Sequence, residues 1–492
     1  MSGALDLELH PKQGMALLTE ANELGYGGAA GGGKSHLGRV SALHFSYNIP
    51  GLQVYLFRRQ HNELVKNHMM GPTSFPALLS PWIQGGFVRV VKDEIRFANG
   101  ANNKDPFDGG SRIFLCHCQH EKDVFNWMGP EIHYLIIEQA EQFTPFMITM
   151  LRGRNRIPDA LRIPDQYKRL FPRALYTFNP GGVGHMFFKS KFVKALKRDV
   201  AGVSEIVEQP DEEGGKRRQF IQAKLDDNPS VSPVEYRKTL RGLPPRMTKA
   251  LEEGDFDQVV GAFFPEIDRL KHLIRPFALD DSWTTIMGMD WGACGEGDPF
   301  AIGWWKVLGE SVQAFNTRGE VLTLPRNAIV CYRRWYGKGL PKVTASEVAK
   351  GVLLKEGKEN VSLRVAGGDI DDKRGHGPSI LEIFRDEGVY FAKADRRRPA
   401  GHAQFRERLV GKNGRPMIYW FQQYEDDLES IMNLQHDLHN VNDCTENDDH
   451  NYETDRYVCM ARPWTAEPEV KKQQKNTITF NDLLEQNDLY EY

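Results

Sequence analysis

Eight consecutive residues, Gly28-Ala29-Ala30-Gly31-Gly32-Gly33-Lys34-Ser35, spell G-x-x-x-x-G-K-S. Glycines let a backbone wrap until its N–H groups converge on an anion. In this pattern Gly28, Gly31 and Gly33 shape the loop, Lys34 reaches the β- and γ-phosphates of a nucleotide, and Ser35 binds Mg²⁺. Residues His36 to Ser41 read as the start of a helix whose N-terminus adds to the anion site. A flexible glycine-rich loop is the bland alternative. Against it stands Tyr134-Leu135-Ile136-Ile137, which reads as a buried strand ending in Glu138, a carboxylate placed to hold Mg²⁺. Next comes Gln139, where a second acid would orient the attacking water; an amide cannot act as a base. Gln13, upstream of the loop, offers a donor and an acceptor suited to adenine, or is a surface amide. Arg58 and Arg59 close the next strand-like run; one of them would stabilise γ-phosphate charge, or both are an ordinary strand-end pair.

The rear half carries a different set. Asp290 and Asp369 each end a strand-like run, with Asp371 and Asp372 close behind. Asp449 and Glu453 are spaced one helical turn apart, with His450 between them as a partner or a surface residue. Acids from separate elements that converge hold two Mg²⁺ or Mn²⁺ ions, a pair that activates water for phosphodiester hydrolysis. Acids also sit at strand ends and helix caps for no catalytic reason, so spacing alone leaves both readings open. Cys116-His117-Cys118 lies within an apolar run whose alternation sends neighbours to opposite faces, which predicts core thiols rather than a metal cluster.

The elements that must position these residues read as α/β. Residues 1–207 alternate apolar strand-like runs with helical patterns and are assigned to a first domain; 208–275, polar and rich in turns, to a connecting subdomain; 276–465 to a second α/β domain; 466–492 to a polar tail. The chain has 492 residues, 40% hydrophobic and 26% charged, the profile of a globular protein. No apolar run approaches membrane-spanning length and the N-terminus lacks a basic-then-apolar signal pattern, so an intracellular protein without a membrane partner is expected. Net charge of −3 argues against a uniformly basic nucleic-acid coat, but leaves local stripes at 152–156, 189–198, 216–218 and 396–398.

Taken together, HPKQ (10–13), GGAAGGGKS (27–35), FRRQHNEL (57–64), YLIIEQAEQF (134–143), LRGRNR (151–156), TFNPGG (177–182), DDNP (226–229), EEGDFDQVVGAFFPE (252–266), GMDWG (288–292), GGDID (367–371) and DHNYETDRYVCMARP (449–463) resemble the large terminase subunit of tailed bacteriophages. The resemblance implies a P-loop ASCE-type ATPase domain followed by an RNase H-like nuclease domain. It implies ATP and Mg²⁺ in front and two Mg²⁺ or Mn²⁺ behind. It also implies a DNA-packaging motor that translocates double-stranded DNA into a procapsid and cuts concatemers. The partners so implied are the portal protein, the small terminase subunit and further copies in a ring, a pentamer. The place is the host cell cytoplasm, transiently the portal vertex. By position, Thr177 and Asn179 match the family's coupling motif; Asp290, Asp369 and Glu453 match its nuclease acids, Glu453 lying three residues before Arg456-Tyr457; and His450 falls where relatives carry a metal-associated His.

Two departures stand out. No arginine lies inside the loop, which leaves Arg58, Arg59 and the 152–156 cluster as candidates for the finger. Gln139 replaces the catalytic Glu, and loss of a positioned base costs about 10²–10⁴ in rate. Three explanations follow: a substitution that traps ATP, divergence with Glu141 or another group positioning water, or a slow motor. A helicase-nuclease of the repair type would require a second P-loop-like domain, and no such pattern appears. A purely structural ring component would not need Lys34, Ser35, Glu138 and the acid set.

Overall fold

The computed structural model describes residues 5, 7–102, 104–242, 245–257, 261–295, 298–371, 377–437, 440, 442–445 and 449–464. The chain forms two compact units, Met1–Pro265 with Asp426–Asp449, and Glu266–Glu425 with the chain from His450 onward. No helix among the described residues is long and apolar enough to cross a membrane.

The first unit is built on a largely parallel sheet. Across it run Arg112–His117, Gln53–Arg58, Tyr134–Glu138, Arg173–Phe178, Glu23–Gly28 and Arg217–Ala223, with short antiparallel strands at both edges. Tyr134–Glu138 is buried throughout, as a central parallel strand must be. Parallel neighbours need crossovers, and the helix Lys34–Asn48 supplies the first of them directly from the glycine loop. The loop strand and the Glu138 strand are not neighbours; Arg173–Phe178 lies between them, the order of an ASCE-type P-loop fold. The loop strand itself, ELGYGG, is glycine-rich because its faces are crowded. A Cβ on Gly25 would stand 2.6 Å from the Phe192 ring, and one on Gly27 would stand 2.5 Å from Phe178.

The second unit carries an antiparallel meander, Thr285–Ala293, Pro299–Val307 and Ile329–Tyr336. Leu363–Ala366 then adds parallel to the first of these strands after the helix Ala345–Glu356. Ala392–Lys393 extends one side and Ile418–Phe421 the other, both parallel to their neighbours. This is an RNase H-like sheet. The helix His450–Ala461 packs on it over a cross-strand glycine pair, Gly288 and Gly303. A Cβ at Gly288 would lie 2.6 Å from the Thr454 carbonyl oxygen, so side chains there would hold the helix away.

The expected domain limits need correction. Residues 208–275 do not form a separate connecting subdomain: Arg217–Ala223 pairs in register with the loop strand, from Glu23↔Arg218 to Gly28↔Ala223. Its charged letters conceal a strand because Arg218 is buried against Glu23, Nη2 to Oε2 at 2.8 Å. Nor does the second unit hold an unbroken 276–465. Residues 426–449 return to the first unit, where Phe263 N donates to Leu434 O at 2.6 Å and buried Lys189 meets buried Glu429 at 2.6 Å. The tail 466–492 lies outside the described residues, as does Asp372.

Candidate functional site

In the first unit the glycine loop bounds a cavity of about 460 Å³. Lys34, Ser35, Arg39, Arg58, Gln139 and Asn179 are among the side chains that line it. Gly28, Gly31 and Gly33 all take positive φ (137°, 78° and 71°), the left-handed backbone that wraps the loop. The loop is braced from behind. Gln13 Nε2 donates to Gly33 O at 2.8 Å while its Oε1 accepts from His10 N at 2.8 Å. Asn228 Nδ2 donates to Gly31 O at 2.5 Å, and Lys12 pairs with Asp227 at 2.7 Å. Gln13, expected to face adenine, thus has one end of its amide on the loop and the other on the N-cap of its own helix, though it lines the cavity.

Lys34 Nζ rests on Ala29 O at 2.5 Å. Burial pulls its pKa down to about 8, against the upward pull of Glu141 and Glu138, so a triphosphate entering the loop would restore its charge. Glu138 is 1% exposed. Its Oε2 gathers donors: His68 Nε2 at 2.9 Å, Arg58 Nε at 3.2 Å, Asn67 Nδ2 at 3.3 Å and Ser35 Oγ at 3.3 Å. Burial would push the carboxyl up, but His68, then Arg58 and Arg39, outweigh it and hold the pKa down at about 2. Its other oxygen, Oε1, is buried with no hydrogen-bond partner. An acceptor so stranded beside the Ser35 hydroxyl fits a divalent cation, and Ser35 and Glu138 are the residues that would hold it.

Gln139 follows the strand with φ 48° and ψ 48°, a left-handed conformation uncommon for a side chain of its size. Asn179 closes the next strand and is gripped by buried Glu141, with Asn179 N to Oε2 at 3.1 Å and Nδ2 to Oε1 at 3.0 Å. Gln139 Oε1 and Asn179 Oδ1 are both buried without a partner. Thr177 lines the cavity and is buried. Of the arginine candidates, Arg58 lines the cavity while its Nε faces Glu138. Arg59 turns to Met147 Sδ at 2.7 Å, and Arg152, Arg154 and Arg156 bond to Glu23, Met128 O and Glu131. None of these four is among the lining residues.

In the second unit Asp290 lies within the strand Thr285–Ala293 rather than ending it as expected, at the point where the pairing with the next strand shifts before Ala293. Met289 is in register with Ala366, so the backbone of Asp369, three residues further on, reaches the same sheet edge. The Asp369 side chain lies outside the described residues. His450 Nδ1 meets Asp290 Oδ2 at 2.9 Å. Glu453, one turn along the helix, is held by guanidinium groups, Arg456 Nε at 3.1 Å and Arg398 Nη1 at 3.1 Å. Burial, then the Glu453 and Asp290 charges, push the Tyr457 phenol up. Asp449 is buried just before the helix. Among the described residues no three ligand-type side chains stand together as a metal site, so the expected two-ion centre is not assembled by them.

No protein-family model matches the sequence, and no curated protein does. Solved structures do match across 92% of the chain. One is the large terminase of the thermophilic bacteriophage D6E in complex with ADP (12% identity, TM-score 0.38, 98% of that chain covered). Another is the large terminase of bacteriophage HK97 (10% identity, TM-score 0.43, 95% covered). The chain is similar to phage large terminases. The ATPase domain of the Thermus phage P74-26 large terminase matches 51% of this chain over its own whole length (15% identity, TM-score 0.32).

Several residues of the site carry no sequence signal. His68 is fully buried and touches Glu138, yet it ends an ordinary amphipathic helix, His61–His68. Asn67 beside it and Arg39, within the helix that follows the loop, belong to no motif either. Cys116 and Cys118 are buried free thiols flanking an exposed His117, as the alternation predicts.

Proposed function

We propose that this chain is an ATP-driven DNA-packaging motor subunit that also cuts DNA. The observation that carries the motor half is the cavity under the glycine loop, lined by Lys34 and Ser35, with Ser35 Oγ in turn 3.3 Å from the buried Oε2 of Glu138. Backbone N–H groups and Lys34 grip the triphosphate; Ser35 and Glu138 would hold a Mg²⁺ ion, which supplies charge neutralisation across the phosphates. Arg58 and Arg39, both buried at the cavity wall, are the arginines available in cis for γ-phosphate charge. Thr177 and Asn179, at the end of the strand between loop and carboxylate, are placed to sense that charge.

The cutting half is supported by the contact of His450 with Asp290 and by the pairing of the Asp290 strand with the strand that leads to Asp369. Its substrate is double-stranded DNA, held mainly through phosphates and therefore in a salt-sensitive manner. The portal protein, a small terminase subunit and a ring of copies at the procapsid portal vertex complete the proposal, on the strength of the motif resemblance. The test is plasmid cutting by the full chain with Mg²⁺ or Mn²⁺, beside DNA-stimulated ATP turnover. Asp369→Ala should abolish cutting while thermal unfolding and ATP binding stay as in the parent. Undiminished cutting by that variant removes the nuclease assignment, and failure of the parent to bind ATP removes the motor.

A further inference from the structure

We propose that Gln139 and Asn179 form an amide pair that orients the attacking water, so that this ATPase works without a carboxylate base. The inference rests on the ATP-site reading above and deepens it.

Both residues line the cavity, and each holds a buried carbonyl oxygen that has no partner in the protein. Buried acceptors are rarely left so, and an ordered water is the usual occupant. The direction of Asn179 is dictated rather than arbitrary. Glu141 offers only acceptors when ionised, so the amide turns Nδ2 toward Oε1 and its Oδ1 is left without a protein partner. Glu141 is itself held by the Asn179 backbone N–H, and its own carbonyl accepts from Gly184 N at 2.8 Å. A Cβ at Gly182 would meet that carbonyl at 2.4 Å, so glycine is what lets the Asn179 loop close on Glu141. On the other side, the left-handed backbone at Gln139 is strained for a residue with a Cβ, and such strain persists where the surroundings enforce a direction.

Phosphoryl transfer needs little covalent help from the protein; a side-chain amide suffices to hold water in line with the leaving oxygen. The water oxygen bonds to the γ-phosphorus, the bond from that phosphorus to the β,γ-bridging oxygen breaks, and ADP leaves with the electron pair. The proton of the water passes to a phosphate oxygen, and the products are ADP and inorganic phosphate. Neither amide is protonated. Gln139 and Asn179 are the catalytic residues of this step, and Glu141 is a positioning residue.

The experiment measures phosphate release and, separately, binding of a fluorescent ATP analogue by the full chain with Mg²⁺. Lys34→Ala defines the background rate. The parent should exceed that background, and Gln139→Ala should lower kcat by about 10²-fold, with analogue binding within about twofold of the parent. Glu141→Gln should lower kcat with little change in KM. The pair Glu141→Gln with Asn179→Asp should recover turnover, because the new amide donates to the new carboxylate and leaves one oxygen facing the water. A merely structural role for Glu141 would not give that rescue. The proposal is overturned if the parent binds the analogue yet turns over no faster than Lys34→Ala while Gln139→Glu restores activity. Absence of analogue binding by the folded parent overturns the underlying ATP-site reading instead.

Discussion

Replacing Glu138 by Gln tests how much the first unit depends on one buried charge. The carboxylate is 1% exposed and its Oε2 faces Arg58, His68, Asn67 and Ser35 within 3.3 Å. Burial raises the carboxyl, yet His68, Arg58 and Arg39 bring it from 4.5 to about 2. Each pH unit is worth about 1.4 kcal/mol, so the ionised group stabilises the folded chain by about 3 kcal/mol at neutral pH. Glu138→Gln keeps the shape and removes the charge, leaving buried Arg58 and Arg39 without their counter-ion. The expected loss is therefore about 3 kcal/mol, read from urea unfolding at pH 7 without Mg²⁺ or nucleotide. The folded pKa lies below the unfolded one, so the contribution is complete above pH 4.5 and fades as pH falls toward 2. At pH 3 parent and variant should differ by less than half as much as at pH 7. A difference under about 1 kcal/mol at pH 7, or one equally large at pH 3, refutes the reasoning.

Two further outcomes are expected. Lys34 is held near pKa 8 by burial and regains its charge when phosphates arrive, so ATP binding at pH 8.5 should take up protons. Titration calorimetry in buffers of different ionisation enthalpy reads this directly, and a heat independent of buffer contradicts it. In the second unit, buried Asp455 pairs with Arg334 at 2.5 Å and accepts from Trp420 Nε1 at 3.1 Å. Arg334→Ala should cost about 3–5 kcal/mol in urea unfolding by stranding that charge. Adding Asp455→Leu should recover much of the loss, and no recovery would mean that packing, not charge, sets the cost.

Much of this molecule was legible from letters alone, where a local pattern has one physical use. GGAAGGGKS predicts the wrapped loop because only glycines accept the positive φ found at Gly28, Gly31 and Gly33. Four apolar residues before Glu138 predict a buried strand, whereas Asp290 and Asp369, expected at strand ends, lie within Thr285–Ala293 and in the helical turn Gly368–Asp371 after Leu363–Ala366. Strands whose letters serve packing rather than periodicity were hidden. ELGYGG is glycine-rich to admit Phe178 and Phe192, and the Arg217–Ala223 strand hides its arginine against Glu23. The return of residues 426–449 to the first unit has no local mark, since its anchors, Lys189 and Glu429, are 240 positions apart.

Sequence by itself determined the chemistry on offer: a phosphate loop, one acid and one amide after the central strand, and acids behind. Tertiary structure alone decided how those groups are used. It committed Gln13 to the loop and brought His68 and Arg58 to Glu138. It closed Glu453 between two arginines, and left buried oxygens of Gln139 and Asn179, two residues that line one cavity, without protein partners. The reason is that a motif specifies which atoms can donate or accept, whereas burial decides which of them find partners, and that depends on residues far away along the chain.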